Sequence, residues 1–110
     1  MKNMENKFAL RITPLAHTDI DAALSYIKFD LCNPTAASNL SAKIISAFHD
    51  ICSIPTAFPK CQYYFIYDDT YRHVNIGNYV LFFRINVPLH QIEVLRFLYG
   101  KMDFSKIEIV

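Results

Sequence analysis

The chain has 110 residues, of which 53% are hydrophobic and 19% are charged, and its formal net charge is +1. This length predicts a single domain, residues 1–110, with a modest core. The near-neutral charge argues against an autonomous nucleic-acid-binding protein, which usually carries a basic stripe. Because the apolar content is high for a small domain, part of it is expected to face a partner.

Cysteine usage and hydropathy indicate a reducing compartment and no membrane segment. Cys32, Cys52 and Cys61 form no C-x-x-C pair, and their odd number is typical of reduced cytoplasmic thiols. The spacing of His, Cys and acidic residues predicts no metal site and no cofactor. The N-terminus lacks the apolar stretch of a secretory signal, and no apolar run approaches the ~18 residues of a membrane helix.

The first half of the chain predicts a short strand followed by two helices. Residues 8–13 alternate apolar and polar side chains over most of their length, as in a half-buried strand. Thr13-Pro14 and Asn33-Pro34 each combine a capping residue with a proline, which is typical of a helix start. Apolar residues then recur every three to five positions, so two antiparallel helices, each with one apolar stripe, are expected.

The second half predicts a three-stranded antiparallel meander. Its strands are Tyr71–Ile76, Tyr79–Ile85 and Gln91–Tyr99. Gly77-Asn78 fits a two-residue type II′ turn between the first two. Residues 55–70 predict an irregular connection, with a short strand or a loop laid over the sheet. The fold class is therefore α+β: an N-terminal strand, a helical hairpin and a meander, with the helices on one face of the sheet.

The second face of this sheet is also apolar. Alternation along the strands puts Val80 and Phe82 on the same side, with cations nearby. The helical hairpin covers only one face. The other face therefore either binds a partner through Val80 and Phe82 or is covered by the C-terminal tail or residues 55–70.

Two arginines are the strongest candidates for chemistry. Arg72 and Arg96 lie on the first and third meander strands, and the sheet is expected to bring them together. Their permanently charged, forked side chains suit phosphate binding and the stabilisation of negative charge. The alternative is that each pairs with a carboxylate such as Glu93. Tyr99, at the end of the last strand, either stacks on a base or donates a proton, or else packs in the core.

Further cations are candidates for binding a nucleic acid or a protein target. These are Lys60, Arg84 and Lys101. His73 and His90 titrate in the useful range but are isolated in the sequence, so surface or structural roles are expected for them.

Four local patterns follow one another along the chain. They are Ile12-Thr13-Pro14-Leu15-Ala16, Asn33-Pro34-Thr35-Ala36-Ala37, Tyr71-Arg72-His73-Val74 and Val94 to Asp103. In this order and spacing they resemble the RelE/ParE superfamily, and the resemblance covers nearly the whole chain. It implies a growth-inhibiting bacterial toxin of a type II toxin–antitoxin module, associated with plasmid stabilisation and neutralised by a cognate antitoxin.

The resemblance implies three possible activities. RelE-type members cut mRNA on the ribosome, ParE-type members poison DNA gyrase, and a degenerate member would only bind its antitoxin. Arg72 and Arg96 match arginine positions shared widely across the superfamily. Tyr99-Gly100 stands where many members have His-Gly, so a neutral-pH base is missing. Together with the low net charge, this favours gyrase inhibition slightly.

Overall fold

Two helices pack on one face of a four-stranded sheet. The computed structural model of the protein describes residues 7–61 and 69–104. The elements are β1 (Ala9–Ile12), α1 (Pro14–Ser25), α2 (Pro34–Ser53), β2 (Tyr71–Ile76), β3 (Tyr79–Asn86) and β4 (Gln91–Tyr99). A π-helical segment, Tyr26–Asp30, extends α1, and a 3-10 turn, Pro55–Ala57, follows α2. The predicted α+β class and element order are confirmed.

Some predicted features fall outside the described residues. The sequence predicts a short strand or a loop in the aromatic stretch 63–67. It also predicts a final turn or strand in the tail, of which residues 105–110 are not described.

The N-terminal strand joins the sheet next to the last strand. The strand order is β1-β4-β3-β2, and β1 runs parallel to β4 with Ala9 opposite Gln91 and Ile12 opposite Val94. The meander strands pair antiparallel, as predicted. The sheet is therefore mixed, with β3 and β4 at its centre and β1 and β2 at its edges.

The hairpin between β2 and β3 has the predicted register. Ile76 lies opposite Tyr79 and Arg72 opposite Phe83. Gly77 has φ +59°, the left-handed backbone that the first central position of a type II′ turn requires. Because the turn fixes the register, it also fixes which side chains share each face of the sheet.

Both helices begin at the predicted caps. Thr13 Oγ1 accepts a hydrogen bond from the Ala16 N–H at 3.1 Å, and Asn33 Oδ1 accepts one from the Ala36 N–H at 3.0 Å. A proline follows each cap, where its missing N–H costs no helical hydrogen bond. The two start signals in the sequence therefore identified real helix ends.

Thr13 also fastens α1 to the sheet, because its hydroxyl donates to the Leu95 carbonyl at 3.2 Å. Thr13→Ala is expected to lower the free energy of unfolding by about 1–2 kcal/mol, since it removes the cap and leaves that carbonyl without its donor. Chemical denaturation checks the value. Thr13→Ser keeps the hydroxyl and serves as the control. Equal losses in both variants would contradict this role of the hydroxyl.

The sheet has an apolar cluster on each face. The cluster under the helices includes Leu81, Phe83, Ile85, Ile92, Val94 and Phe97 together with side chains of both helices. The cluster on the second face contains Val80, Phe82, Leu95, Leu98 and Phe104, with Cys61 and Tyr71 packed against it. The start of the tail and the connection before β2 therefore both contribute to covering the second face, as one of the sequence-based alternatives predicted.

Candidate functional site

Arg96 is held by a carboxylate of the first helix. Its Nε lies 2.6 Å from Asp19 Oδ2 and its Nη2 lies 3.1 Å from Asp19 Oδ1, so the contact is bidentate. The same Oδ2 accepts the Phe97 N–H at 3.1 Å. Both charged side chains are nearly buried, at 13% and 12% exposed. Arg96 therefore joins α1 to β4 through a desolvated ion pair.

The local geometry of β4 makes this contact possible. Phe82 lies opposite Arg96 but Phe83 lies opposite Val94, so Leu95 is an extra residue at a β-bulge. β1 ends before this point, and Thr13 and Asp19 of the helix start bond to the β4 edge that β1 leaves uncovered. Asp19 thus accepts a hydrogen bond from the edge of β4 as well as pairing with Arg96.

Arg72 is directed toward the loop that follows α2. Its Nη1 donates to the carbonyls of Thr56 at 3.3 Å and Phe58 at 2.9 Å, and its Nε donates to the carbonyl of Asp69 at 2.9 Å. One guanidinium group thus fixes the backbone on both sides of the connection between α2 and β2. These contacts give Arg72 a structural role.

The sheet does not bring the two arginines together. Arg72 lies on β2 and Arg96 on β4, with β3 between them, and Arg72 bonds to the loop after α2 whereas Arg96 bonds to α1. Each arginine is therefore held by partners of its own in the folded chain. Their assignment as catalytic residues stays a prediction.

Arg84 pairs with the carboxylate that faces it across the sheet. Its Nη1 lies 2.9 Å from Glu93 Oε1, and Asn86 Nδ2 donates to Glu93 Oε2 at 3.0 Å. Burial raises the pKa of Glu93, but the hydrogen bonds from Asn86 and Arg84 and the charges of Arg84 and Arg11 outweigh it and lower the pKa below its usual value. Arg11 of β1 stands opposite Glu93, a position that only the parallel pairing of β1 reveals.

Lys60 lies near the same end of the sheet. It forms an isolated bridge with Arg72, and its Nζ lies 3.8 Å from Asp69 Oδ2, with both side chains exposed. An exposed pair of this kind contributes little to stability, so Lys60 keeps its charge available to solvent.

Tyr99 and Lys101 lie at the opposite end of β4. Tyr99 is 42% exposed and contacts the Tyr79 ring edge-on, with centroids 5.8 Å apart. Burial, and then the nearby phenols of Tyr26 and Tyr99, raise the pKa of Tyr79. Six residues of extended strand separate Glu93 from Tyr99, which is about 20 Å. The candidate cations near Glu93 are therefore remote from the candidate tyrosine.

The proposed partner contacts are internal. Val80 is 8% exposed and Phe82 is fully buried, and the Phe104 ring meets the Phe82 ring edge-on at 5.3 Å. Neither side chain is accessible while Phe104 occupies this position. Partner binding through Val80 and Phe82 stays a prediction, and it requires that the tail move.

The described residues offer no obvious acid–base pair with Tyr99. His90 precedes β4 and stacks on Phe8 with centroids 4.0 Å apart, about 30 Å along the strand from Tyr99.

Burial, opposed by the charge of Arg72, raises the pKa of the Cys61 thiol to about 11, so it is protonated at neutral pH. Residues 7–61 and 69–104 contain no group of three His, Cys, Asp or Glu suited to a metal ion.

His73 makes stability depend on pH. Its Nδ1 is buried without a hydrogen-bond partner in the described part of the chain, and burial lowers the pKa of this imidazole. The unfolded chain therefore binds a proton first as the pH falls below about 6.5, and the free energy of unfolding decreases from there down to the folded-state pKa. Denaturation between pH 7.5 and 5.5 checks this.

The control for that prediction is His73→Gln, which cannot titrate in this range. Its stability is expected to stay flat where that of the parent chain declines. Glu93 has a lowered pKa, so its contribution is lost only in more acidic solution, below about 4.5. A parent chain with constant stability across the range would contradict the prediction.

Sequence reasoning missed Asp19, the partner of Arg96. The two residues are 77 positions apart, and Asp19 looks like one of several acidic residues on the polar side of a helix. The signal that could have indicated it was the position of Asp19, about one and a half turns after the Thr13 cap and so close to the point where the chain passes from the sheet into α1.

Neither helix described here has the combined length and hydropathy needed to cross a membrane.

Comparison with known proteins identifies the family. A model of the ParE toxin of type II toxin–antitoxin systems, parDE, matches residues 10–104. Among curated protein sequences, none matches this chain.

Two solved structures share the fold. The chromosomal ParDE toxin–antitoxin system of P. aeruginosa superposes with a TM-score of 0.68 at 16% identity, covering 87% of this chain and 99% of that one. The toxin–antitoxin complex RelBE2 of Mycobacterium tuberculosis gives 0.58 at 19% identity, covering 84% and 91%. With the family match over most of its length, this chain belongs to the ParE toxins of type II toxin–antitoxin systems, within the RelE/ParE superfamily.

Proposed function

We propose that this toxin inhibits DNA gyrase through a protein interface and does not cleave RNA. The observation that supports this is the dispersal of the candidate catalytic groups. Arg96 is bound to Asp19, Arg72 is bound to backbone carbonyls two strands away, and Tyr99 lies three residues, about 10 Å, beyond Arg96 along β4. RNA cleavage by side chains needs groups that converge on one phosphate.

The partners in this proposal are the cognate antitoxin and the gyrase. The solved relatives are toxin–antitoxin pairs by their descriptions, which supports an antitoxin partner here. Because gyrase acts on the chromosome, the proposed site of action is the bacterial cytoplasm.

A second candidate is ribosome-dependent cleavage of mRNA. The exposure of Tyr99 and the nearby Lys101 favours it, since an aromatic ring beside a cation can stack on a base and contact its phosphate. In that case the ribosome would have to supply the remaining groups. A chain that binds only its antitoxin is the third alternative.

The deciding experiment adds the purified toxin to gyrase with relaxed plasmid and, separately, to translating ribosomes. Inhibited supercoiling with intact mRNA supports the proposal. Cleaved mRNA with normal supercoiling supports the nuclease. If the toxin causes neither effect, the result supports a chain that only binds its antitoxin.

Tyr99→Phe and Lys101→Ala sharpen the comparison because both side chains are exposed and outside the two clusters. A nuclease is expected to lose activity in these variants, whereas a gyrase inhibitor that does not use this end of the sheet is expected to keep it. The cognate antitoxin should abolish whichever activity is found.

A further inference from the structure

The outer edge of β2 is only partly occupied. The chain's own residues 59–61 run beside its first half: the Cys61 N–H donates to the Tyr71 carbonyl at 2.9 Å and the His73 N–H donates to the Pro59 carbonyl at 3.1 Å. Outward groups alternate along a strand, so the next residue that faces away from β3 is Asn75. Within residues 7–61 and 69–104, nothing pairs with the outward N–H and C=O of Asn75.

A cleft of about 260 Å³ adjoins this open edge. It lies between α2 and the end of β2, and its walls include Ala47, Phe58 and Val74 as well as Asn75 itself. Ala47 is buried, and Phe58 and Val74 are partly buried against the core. An apolar side chain on a neighbouring strand would therefore find an apolar recess beside the unpaired backbone.

Charges of opposite sign stand on the rim of the cleft. Lys43 and Asp50 are seven residues apart on α2, so they share one side of the helix about 10 Å apart along its axis. Neither side chain forms an ion pair with another described residue. A segment with an acidic residue at one end and a basic residue at the other would complement both.

We propose that the open half of the β2 edge binds an extended segment of the target protein, which adds as a further strand and inserts an apolar side chain between α2 and β2. This rests on the proposed function, because inhibition through a protein interface needs such a surface. The cleft combines unpaired backbone groups, an apolar recess and two unpaired charges. Strand addition uses backbone hydrogen bonds for affinity and side-chain recesses for specificity.

Asn75→Pro tests the backbone pairing directly. The Asn75 N–H does not take part in the β2–β3 ladder, so a proline there removes an outward donor and leaves the hairpin bonds in place. Asn75→Ala removes the same side chain but keeps the N–H, which makes it the matched control. Circular dichroism and thermal unfolding check that both variants fold like the parent.

The readouts are inhibition of purified gyrase, growth arrest on induction, and binding to the cognate antitoxin. We expect Asn75→Pro to need about tenfold more toxin for inhibition than Asn75→Ala, because the two variants share the loss of the side chain and differ in the backbone N–H. Lys43→Glu should weaken inhibition without altering antitoxin binding. Equal activity in Asn75→Pro and Asn75→Ala would overturn the proposal.

The three readouts distinguish failure of this inference from failure of the proposed function. If the parent arrests growth but leaves gyrase unaffected, gyrase is the wrong target, and selective loss of growth arrest in Asn75→Pro still supports the β2 edge as the docking site. If Asn75→Pro loses antitoxin binding and keeps inhibition, the antitoxin occupies the edge and the proposal is overturned. A parent chain without any toxic effect overturns both.

Discussion

Arg96→Ala is expected to lower the free energy of unfolding by about 3 kcal/mol, because it leaves the Asp19 carboxylate nearly buried without its cation. This loss is at the lower end of what removing one partner of a buried ion pair usually costs, because Asp19 keeps the hydrogen bond from the Phe97 N–H. Equilibrium denaturation in urea measures it. The comparison variant is Arg84→Ala, which is expected to cost less because the Arg84 side chain is 35% exposed and its partner Glu93 keeps the hydrogen bond from Asn86 Nδ2.

A double-mutant cycle tests the cause. Asp19→Ala combined with Arg96→Ala removes both charges, so the double variant is expected to be more stable than the sum of the single losses implies. Additive losses would contradict a direct coupling. The result also bears on function, since loss of toxicity in Arg96→Ala identifies a catalytic residue only if that variant is folded.

Phe82→Ala is expected to lower the free energy of unfolding by about 3–5 kcal/mol. Phe82 is fully buried on a central strand, where its ring contacts Phe104, so truncation leaves a cavity that the rigid sheet fills poorly. Thermal and chemical denaturation measure the loss. The control is Phe29→Ala, which makes the same substitution at a side chain that is 66% exposed. It should change the free energy of unfolding by no more than about 0.5 kcal/mol.

This prediction also decides between two roles for the second face. A Phe82→Ala variant that keeps the parent's stability but loses antitoxin binding would mean that the face is open to the partner. A large loss of stability instead supports a face that the chain covers itself. Phe104→Ala is then expected to give a smaller loss, since Phe104 contributes only one side of the cluster.

The architecture was largely predictable because its signals are local. The Thr13-Pro14 and Asn33-Pro34 pairs determine helix starts through single hydrogen bonds to the next turn, and Gly77-Asn78 determines the hairpin through one left-handed residue. Each depends on neighbours within a few positions. Taken in chain order, these signals predict a strand, two helices and a meander, and the family resemblance agrees with that order.

The site was less predictable because its contacts are distant in sequence. Arg96 finds Asp19 across the molecule, and the bulge at Leu95 that presents it to α1 has no glycine to mark it. Arg72 bonds to carbonyls, which every residue carries, so no side-chain pattern could indicate its partners. Both arginines therefore looked available from the sequence and are engaged in the fold.

The parallel pairing of β1 with β4 has a consequence for how the toxin is made. Thr13 and its partner Leu95 are 82 positions apart, so the first strand emerges long before the strand that will hold it. At about 5–20 residues per second, a ribosome needs roughly 4–16 s to synthesise that interval. During this time β1 has no partner and α1 has no Arg96 to bind. The newly made chain therefore becomes a folded toxin only after β4 has been synthesised, and the first strand of the sheet waits for the last one.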